Sequence, residues 1–324
     1  MGLIVNVLFC LNASIALAQV RVSTIDFFGY RGISLKELRN AAGKIDGIQT
    51  ERDLDSLQSR VARVPGVAWV KINRVCCQGN GENVFLSIGA STGNFLPLRP
   101  MPRKALVLPE KLSSAYLQYL TMLTKAVQAG ISGDDLSRGY SVMDDREVSL
   151  IQLALPKLTE DFQSEISGVL LGSTYEKQRE AAAFLLGYCP DRARSIKVFA
   201  KALNDPSPVV RNNVLRSMAA VLYFKQREVN ARVRWSQIRK IVAMVKSNVW
   251  SDRDKAVFAL TVLTENRDRK VLDQIRSAVQ DELKEMAGWN SRAHALLGCI
   301  VLGRIQGLSE QQIFESWKNE VNED

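Results

Sequence analysis

One histidine, His294, occurs in 324 residues. That excludes any mechanism that needs two imidazoles. The chain also lacks a glycine-rich phosphate loop, a zinc-ligand spacing and a nucleophile elbow. The acidic pairs Asp134-Asp135 and Asp144-Asp145 are adjacent in sequence, so on an ordered element they face apart, and they read as solvated loop residues. These absences leave no catalytic, cofactor-binding or metal-binding set, and the sequence reads as that of a non-enzyme. No dense run of Lys and Arg appears. The formal charge of +9, from 43 basic and 34 acidic side chains, therefore reads as a slightly basic solvated surface.

Charge is missing altogether from residues 1–18. Leu3 to Leu11 form an apolar core, and Ala16-Leu17-Ala18 supplies a small-x-small cleavage pattern. Asn6, Asn12 and Ser14 make the stretch too short and too polar for a membrane span. It reads as a signal peptide cleaved after Ala18, although no Lys or Arg precedes the apolar run; the alternative is an uncleaved buried segment. Export places the remaining cysteines in an oxidising compartment. Cys76 and Cys77 are neighbours that bridge only with strain, while Cys189 and Cys299 fall several layers apart, and all four read as structural. His294 lies on a helix with no ligand partner and also reads as structural.

Residues 19–92 suggest an α+β module. Ser23, Ile25 and Phe27 alternate with Thr24 and Asp26, which is strand spacing. Ser34 with Glu37 forms a capping box for a helix striped by Leu35, Leu38 and Ala42, which Gly43 and Gly47 stop. Thr50 opens a second helix carrying Leu54, Leu57, Val61 and Val64, ended by Pro65-Gly66. A strand with Val70 and Ile72 on one face and Trp69, Lys71 and Asn73 on the other follows. A turn at Gln78-Gly79-Asn80-Gly81 leads to a last strand with Val84, Leu86 and Ile88 on one face. The order β-α-α-β-β implies a small sheet with one face covered by two helices. With Phe28-Gly29 after the first strand and Pro65-Gly66-Val67 before the second, this quarter of the chain resembles a POTRA (polypeptide-transport-associated) domain. The resemblance implies extracytoplasmic protein binding by strand addition. The edge strand is then Val67 to Arg74, with Val67, Trp69, Lys71 and Asn73 as candidate binding residues, unless the rest of the chain covers that edge.

Residues 93–112 hold Pro97, Pro100, Pro102 and Pro109, too many prolines for a helix, and read as an extended connector over the surface. Residues 113–129 form a helix striped by Tyr116, Tyr119, Leu120, Leu123 and Val127. Residues 131–143 read as a loop. A helix from Arg146 to Leu155 is then broken or kinked by Pro156, and Phe162 to Leu170 mark another. Residues 113–175 thus read as the N-terminal cap of a helical stack.

From residue 176 to 324 four segments share one frame, led by Arg179, Arg211, Arg253 and Arg292, each three residues before a small or β-branched apolar residue. Partner helices lie between them, for example Ile196, Phe199, Ala200 and Leu203 at i, i+3, i+4 and i+7. Pro208 sits at a first-turn position, and Ser173 with Glu176 and Ser251 with Asp254 read as capping boxes. Asn204-Asp205-Pro206-Ser207-Pro208-Val209-Val210-Arg211 resembles a HEAT repeat, a helical hairpin that stacks into a solenoid. The resemblance implies that Asp205 and the Val210-Arg211 pair fix the turn and the stacking, so the frame arginines read as structural, the other reading being contacts to a ligand. Trp235, Trp250, Trp289 and Trp317 near the repeat ends read as core or loop packing, or as a stacking platform for bases.

Together these features predict an exported, non-enzymatic adaptor or scaffold of bacterial type, periplasmic or secreted. Its expected partner is another protein, one of the cell envelope. No cofactor, no nucleic acid and no transmembrane span in the mature chain are expected. The competing reading is a cytoplasmic HEAT-like protein that binds nucleic acid through a basic concave surface, and it requires that residues 1–18 are not a leader.

Overall fold

The structure, a computed structural model, describes residues 19–45, 47–78, 83–93, 95–131, 133–228 and 235–319. The leader at 1–18 and the turn at 79–81 lie outside the described residues, as do the side chains of Cys76 and Cys77. A small N-terminal curled sheet of four strands precedes a helical region, with thirteen α-helices among the described residues. Two compact units form, one on Pro97–Ile241, the other joining the described residues up to Leu96 with those from Val242 onward.

The N-terminal segment runs β1 (Gln19–Phe28), α1 (Leu35–Ala42), β2 (Gly47–Thr50), α2 (Glu51–Val61), β3 (Trp69–Gln78) and β4 (Asn83–Ser91). The sheet order is β2-β1-β4-β3; β1 and β4 are parallel, and both outer pairs are antiparallel. Ser34 caps α1 by accepting from the Glu37 N–H at 3.3 Å, and Thr50 with Asp53 completes a capping box on α2. The register between β1 and β4 shifts between Val22 and Thr24. That bulge resets the two-residue alternation, so Val20 and Val22 before it and Ile25 and Phe27 after it all face Leu38, Leu54, Leu57 and Val61 of the helices. Strand β2 was not foreseen from the sequence. Four residues with Ile48 exposed carry no apolar alternation to read.

The second unit comprises α3 (Glu110–Gln128), the two-residue strands β5 (Asp134–Asp135) and β6 (Val142–Met143), α4 (Arg146–Thr159), α5 (Gln163–Gly172), α6 (Glu176–Leu185), a 3₁₀ turn at Leu186–Tyr188, α7 (Arg192–Ala202), α8 (Pro208–Glu228) and most of α9 (Trp235–Met244). Helix α3 packs on α4, α5 on α6 and α7, and α8 on α6 and α7. Pro156 does not break α4, which continues to Thr159. Residues 131–143 are not loop alone, since β5 and β6 pair within them. The proline-rich connector is extended and stitched down. Arg99 donates through Nη1 to Leu171 O at 2.7 Å and through Nη2 to Leu170 O at 3.0 Å, satisfying last-turn carbonyls of α5 that the helix leaves open. Lys104 N–H bonds Gly172 O at 3.1 Å, and the Ser173 hydroxyl donates to Leu106 O at 2.6 Å.

Helices α10 (Trp250–Leu263), α11 (Arg269–Ala287), α12 (Arg292–Gln306) and α13 (Glu310–Asn319) complete the unit that holds the sheet. Gly298 lets α12 lie close on α11: a Cβ there would sit 2.9 Å from Ala287 N and 3.1 Å from Leu283 O. The sheet face away from α1 and α2 is covered too. Phe28 is fully buried and Asp26 nearly so. Asp26 accepts from Asn290 N at 2.6 Å and Ser291 N at 3.0 Å, Trp289 Nε1 donates to Phe27 O at 3.2 Å, and Asn290 Nδ2 to Ile25 O at 2.8 Å. Gly29 N–H is shared by both oxygens of Glu285 at 3.0 Å, and Arg253 Nη1 holds Glu285 Oε1 at 2.6 Å while its guanidinium carbon lies 5.2 Å from the centre of the Phe28 ring. The two helices cover one face as the sequence implied, and the far helices cover the other. Asp26 and the aromatic pair Phe27-Phe28 look like an ordinary strand end in sequence, and only the tertiary fold shows that residues more than 260 positions away accept them.

Candidate interaction surfaces

The four frame arginines were the most repeated feature of the sequence. Arg179, Arg211 and Arg253 are almost wholly buried, and each reaches back six residues to a backbone carbonyl. Arg179 Nη1 bonds Ser173 O at 2.9 Å, Arg211 Nη1 bonds Asp205 O at 2.6 Å, and Arg253 Nε bonds Ser247 O at 2.5 Å. The accepting residue in each case also closes a local turn with its side chain. Ser173 Oγ takes Tyr175 N–H at 3.1 Å, Asp205 Oδ1 takes Ser207 N–H at 2.9 Å, and Ser247 Oγ takes Val249 N–H at 3.1 Å. This corrects two caps. Ser173 and Ser251 are not capping-box residues: α6 starts after Tyr175 and the Ser173 hydroxyl is used two residues on, while α10 starts after Val249 and so contains Ser251 in its first turn.

Asp205, which the resemblance implied fixes its turn, is also a hub for two arginines. Its carboxylate takes Arg179 Nε at 3.0 Å and Nη2 at 3.1 Å, a bidentate fork, and it also takes Arg99 Nη2. The fourth frame differs. Six residues before Arg292 stands Met286, which has no side-chain oxygen, and Arg292 instead reaches Trp317 O, with Trp317 Nε1 donating back to Arg292 O at 3.1 Å. A Ser or Asp six residues before Arg was thus the sequence signal that separates the three alike frames from the fourth.

Strand β3 lies at the sheet edge, paired among the described residues with β4 alone. Of its candidate residues, Val67 precedes the strand, its N–H bonded to Val64 O at 3.1 Å. Asn73 Nδ2 is turned to Ser87 O at 3.0 Å. Trp69 meets Phe95 edge-on with centroids 6.0 Å apart, and Lys71 is exposed. Helix α2 reaches the strand at two points: Gln58 Oε1 accepts Ile72 N–H at 3.4 Å, and Glu51 pairs with Arg74. The Phe28 and Trp69 rings close over Gly89, where a Cβ would lie 2.7 Å and 2.8 Å from them.

A polar cluster in the helical unit collects tyrosines. Tyr116 hydroxyl donates to Glu180 Oε1 at 3.0 Å and Tyr188 hydroxyl to Ser141 O at 2.8 Å, while Arg216 pairs with Asp134 at 2.9 Å. Burial holds the Tyr116, Tyr119 and Tyr188 hydroxyls above the ordinary phenol range. The cavity beside them, bordered by Tyr140, Tyr188 and Arg216, is about 20 Å³, room for about one water. Cys189 is buried with its thiol pushed up to about 12 by desolvation, so it is a poor nucleophile there. His294 is buried with Ser291 Oγ 2.6 Å from Nδ1, and burial lowers its basicity. Trp250 and Trp289 are buried, stacked at 6.5 Å, and not available to stack on bases.

No group of three or more His, Cys, Asp or Glu side chains among the described residues is placed to hold a metal ion, and no described helix is long and apolar enough to cross a membrane. No protein-family model matches the chain, and no curated protein matches it either.

Proposed function

We propose that this is an exported, non-enzymatic protein-binding protein, in which a POTRA-like α/β module offers the edge of β3 and a HEAT-like helical stack forms the scaffold. The observation that carries the reading is β3 itself, a ten-residue outer strand with Lys71 exposed along it. An edge strand offers backbone donors and acceptors that a partner strand can take up. The buried frame arginines support the scaffold half of the reading, because their guanidinium groups are occupied by carbonyls and carboxylates of the stack. The apolar, charge-free run at residues 3–11 before Ala16-Leu17-Ala18 supports export.

The test is location first. Fractionation of cells expressing the full chain, with mass spectrometry of its N-terminus, is expected to give a mature protein starting at Gln19 outside the cytoplasm. A photo-crosslinking side chain at Lys71 should then trap a protein of the same compartment, and the same group at Lys125 on α3 should not. Recovery of the uncleaved chain in the cytoplasm would refute export. Equal trapping from both positions would refute the edge.

A further inference from the structure

The excess positive charge is concentrated. Residues 192–241 hold twelve Lys and Arg against two acidic residues, Asp205 and Glu228, a net of +10; the remaining 31 basic and 32 acidic residues nearly cancel. One of those two acids is spent internally, since Asp205 is fully buried among arginines. The segment contains no dense run, which is why the charge reads as diffuse along the sequence. The fold brings it together. Along α7, Arg194, Lys197 and Lys201 are exposed at i, i+3 and i+7, one side of the helix over about 10 Å. The guanidinium of Arg192 at the start of α7 lies 3.8 Å from the centre of the Phe224 ring, so the end of α8, with exposed Lys225 and Arg227, lies near that end of α7. At the other end of α7, Lys240 Nζ donates to Ala200 O, which places α9 and exposed Arg239 there. Arg216 and Arg211 of the same stretch point inward and take no part.

We infer that the α7 face, with the end of α8 and the start of α9, docks on the surface of an anionic phospholipid bilayer. Complementary charge is the attraction, and each Lys or Arg near such a surface adds roughly a factor of five in binding at low salt. Among the described residues, none of the large exposed apolar side chains falls within 192–241, so the contact is electrostatic and lies on the headgroups without an inserted wedge. Exposed cations of α8 and α9 lie near the two ends of the α7 row, so the charge spreads beyond a single file, which suits a sheet of phosphates better than one strand. Two rings here are each met by a guanidinium, Phe224 by Arg192 and Tyr223 by Arg227 at 5.3 Å, which leaves the half-buried Trp235 as the ring a base would have to use. The inference deepens the envelope reading by naming a surface, but its test uses purified protein and does not depend on where the chain resides.

The experiment is vesicle co-sedimentation of the full chain at about 0.1 M salt. Vesicles rich in phosphatidylglycerol are compared with pure phosphatidylcholine, for the wild type and two triple variants. R194Q/K197Q/K201Q removes the α7 row; K36Q/R63Q/K125Q removes three exposed cations elsewhere. The wild type is expected to bind anionic vesicles only, about a hundredfold more weakly when the α7 row is removed and little changed in the other variant. No binding to anionic vesicles, equal binding to neutral ones, or equal weakening of both variants overturns the inference. Tight salt-sensitive binding to a short DNA duplex with no vesicle binding also overturns it, and assigns the face to nucleic acid.

Discussion

Replacing Asp205 by Ala tests the hub of the stack directly. The fully buried carboxylate takes two bonds from Arg179, one from Arg99 and one from Ser207 N–H. Arg179 is itself fully buried, so the substitution leaves a guanidinium without its counter-charge in the core, a change that costs about 3–5 kcal/mol. Loss of the turn bond to Ser207 adds about 1 kcal/mol. The sum, about 4–6 kcal/mol, is comparable with the whole stability of many domains, about 5–15 kcal/mol. Urea unfolding followed by far-ultraviolet circular dichroism should show a large fall in midpoint. Asp205→Asn keeps an acceptor for Ser207 and should lose less. Arg179→Lys keeps the charge but not the fork, and should lose about 1–3 kcal/mol. A loss below about 1 kcal/mol for Asp205→Ala would show that carbonyls alone hold these arginines, and would refute the hub.

His294 is the only imidazole, so one NMR titration reads it without assignment, and its pKa should fall below the ordinary 6.5 because the buried ring is costly to charge. The unfolded chain then binds the extra proton, so the His294 contribution to stability is complete above 6.5 and is lost as pH falls toward the native pKa; His294→Gln should flatten that slope in thermal melts. Gly89→Ala pushes a methyl into Phe28 and Trp69 and should cost about 1–3 kcal/mol by overpacking, measured as a lower Tm; an unchanged Tm would show that the rings yield freely. Trp289→Phe removes the bond to Phe27 O and leaves a void where the larger buried indole stood, and should cost about 2–3 kcal/mol, again by Tm.

Elements with a complete local signature were legible in the sequence. Helices α1 and α2 begin where Ser34 and Thr50 cap them, and α8 begins at Pro208, because caps and prolines act within one turn. The pairing of Val70 with Ile72, and of Leu86 with Ile88, was readable as alternation. What escaped was set by distant partners. Asp26 is polar on a strand and reads as solvent-facing until Asn290 and Ser291 are brought to it. Helix α10 is buried nearly all round, so no amphipathic stripe marks its neighbours. Among the candidate residues, the arginine frame was visible and Asp205 was expected to hold its own turn, but the carbonyl acceptors six positions back and the bond from Arg179 to a carboxylate 26 residues on were not. The charge of the α7 face escaped for a related reason: a helix presents every third or fourth residue, so a basic surface need not be a basic run.

The second face of the sheet also sets an order of events. Synthesis delivers β1 early, but Trp289, Asn290 and Ser291, which close over Phe27 and Asp26, follow some 260 residues later. Until then Phe28, together with the carboxylate of Asp26, stands on a face without that cover. Contacts so distant in sequence form late and slowly, since a long loop must close before they contribute. The N-terminal module therefore waits for the far helices to complete its core. During that interval a holding chaperone would find its binding surface on β1 and β4, and truncation before α11 would leave that surface permanently exposed.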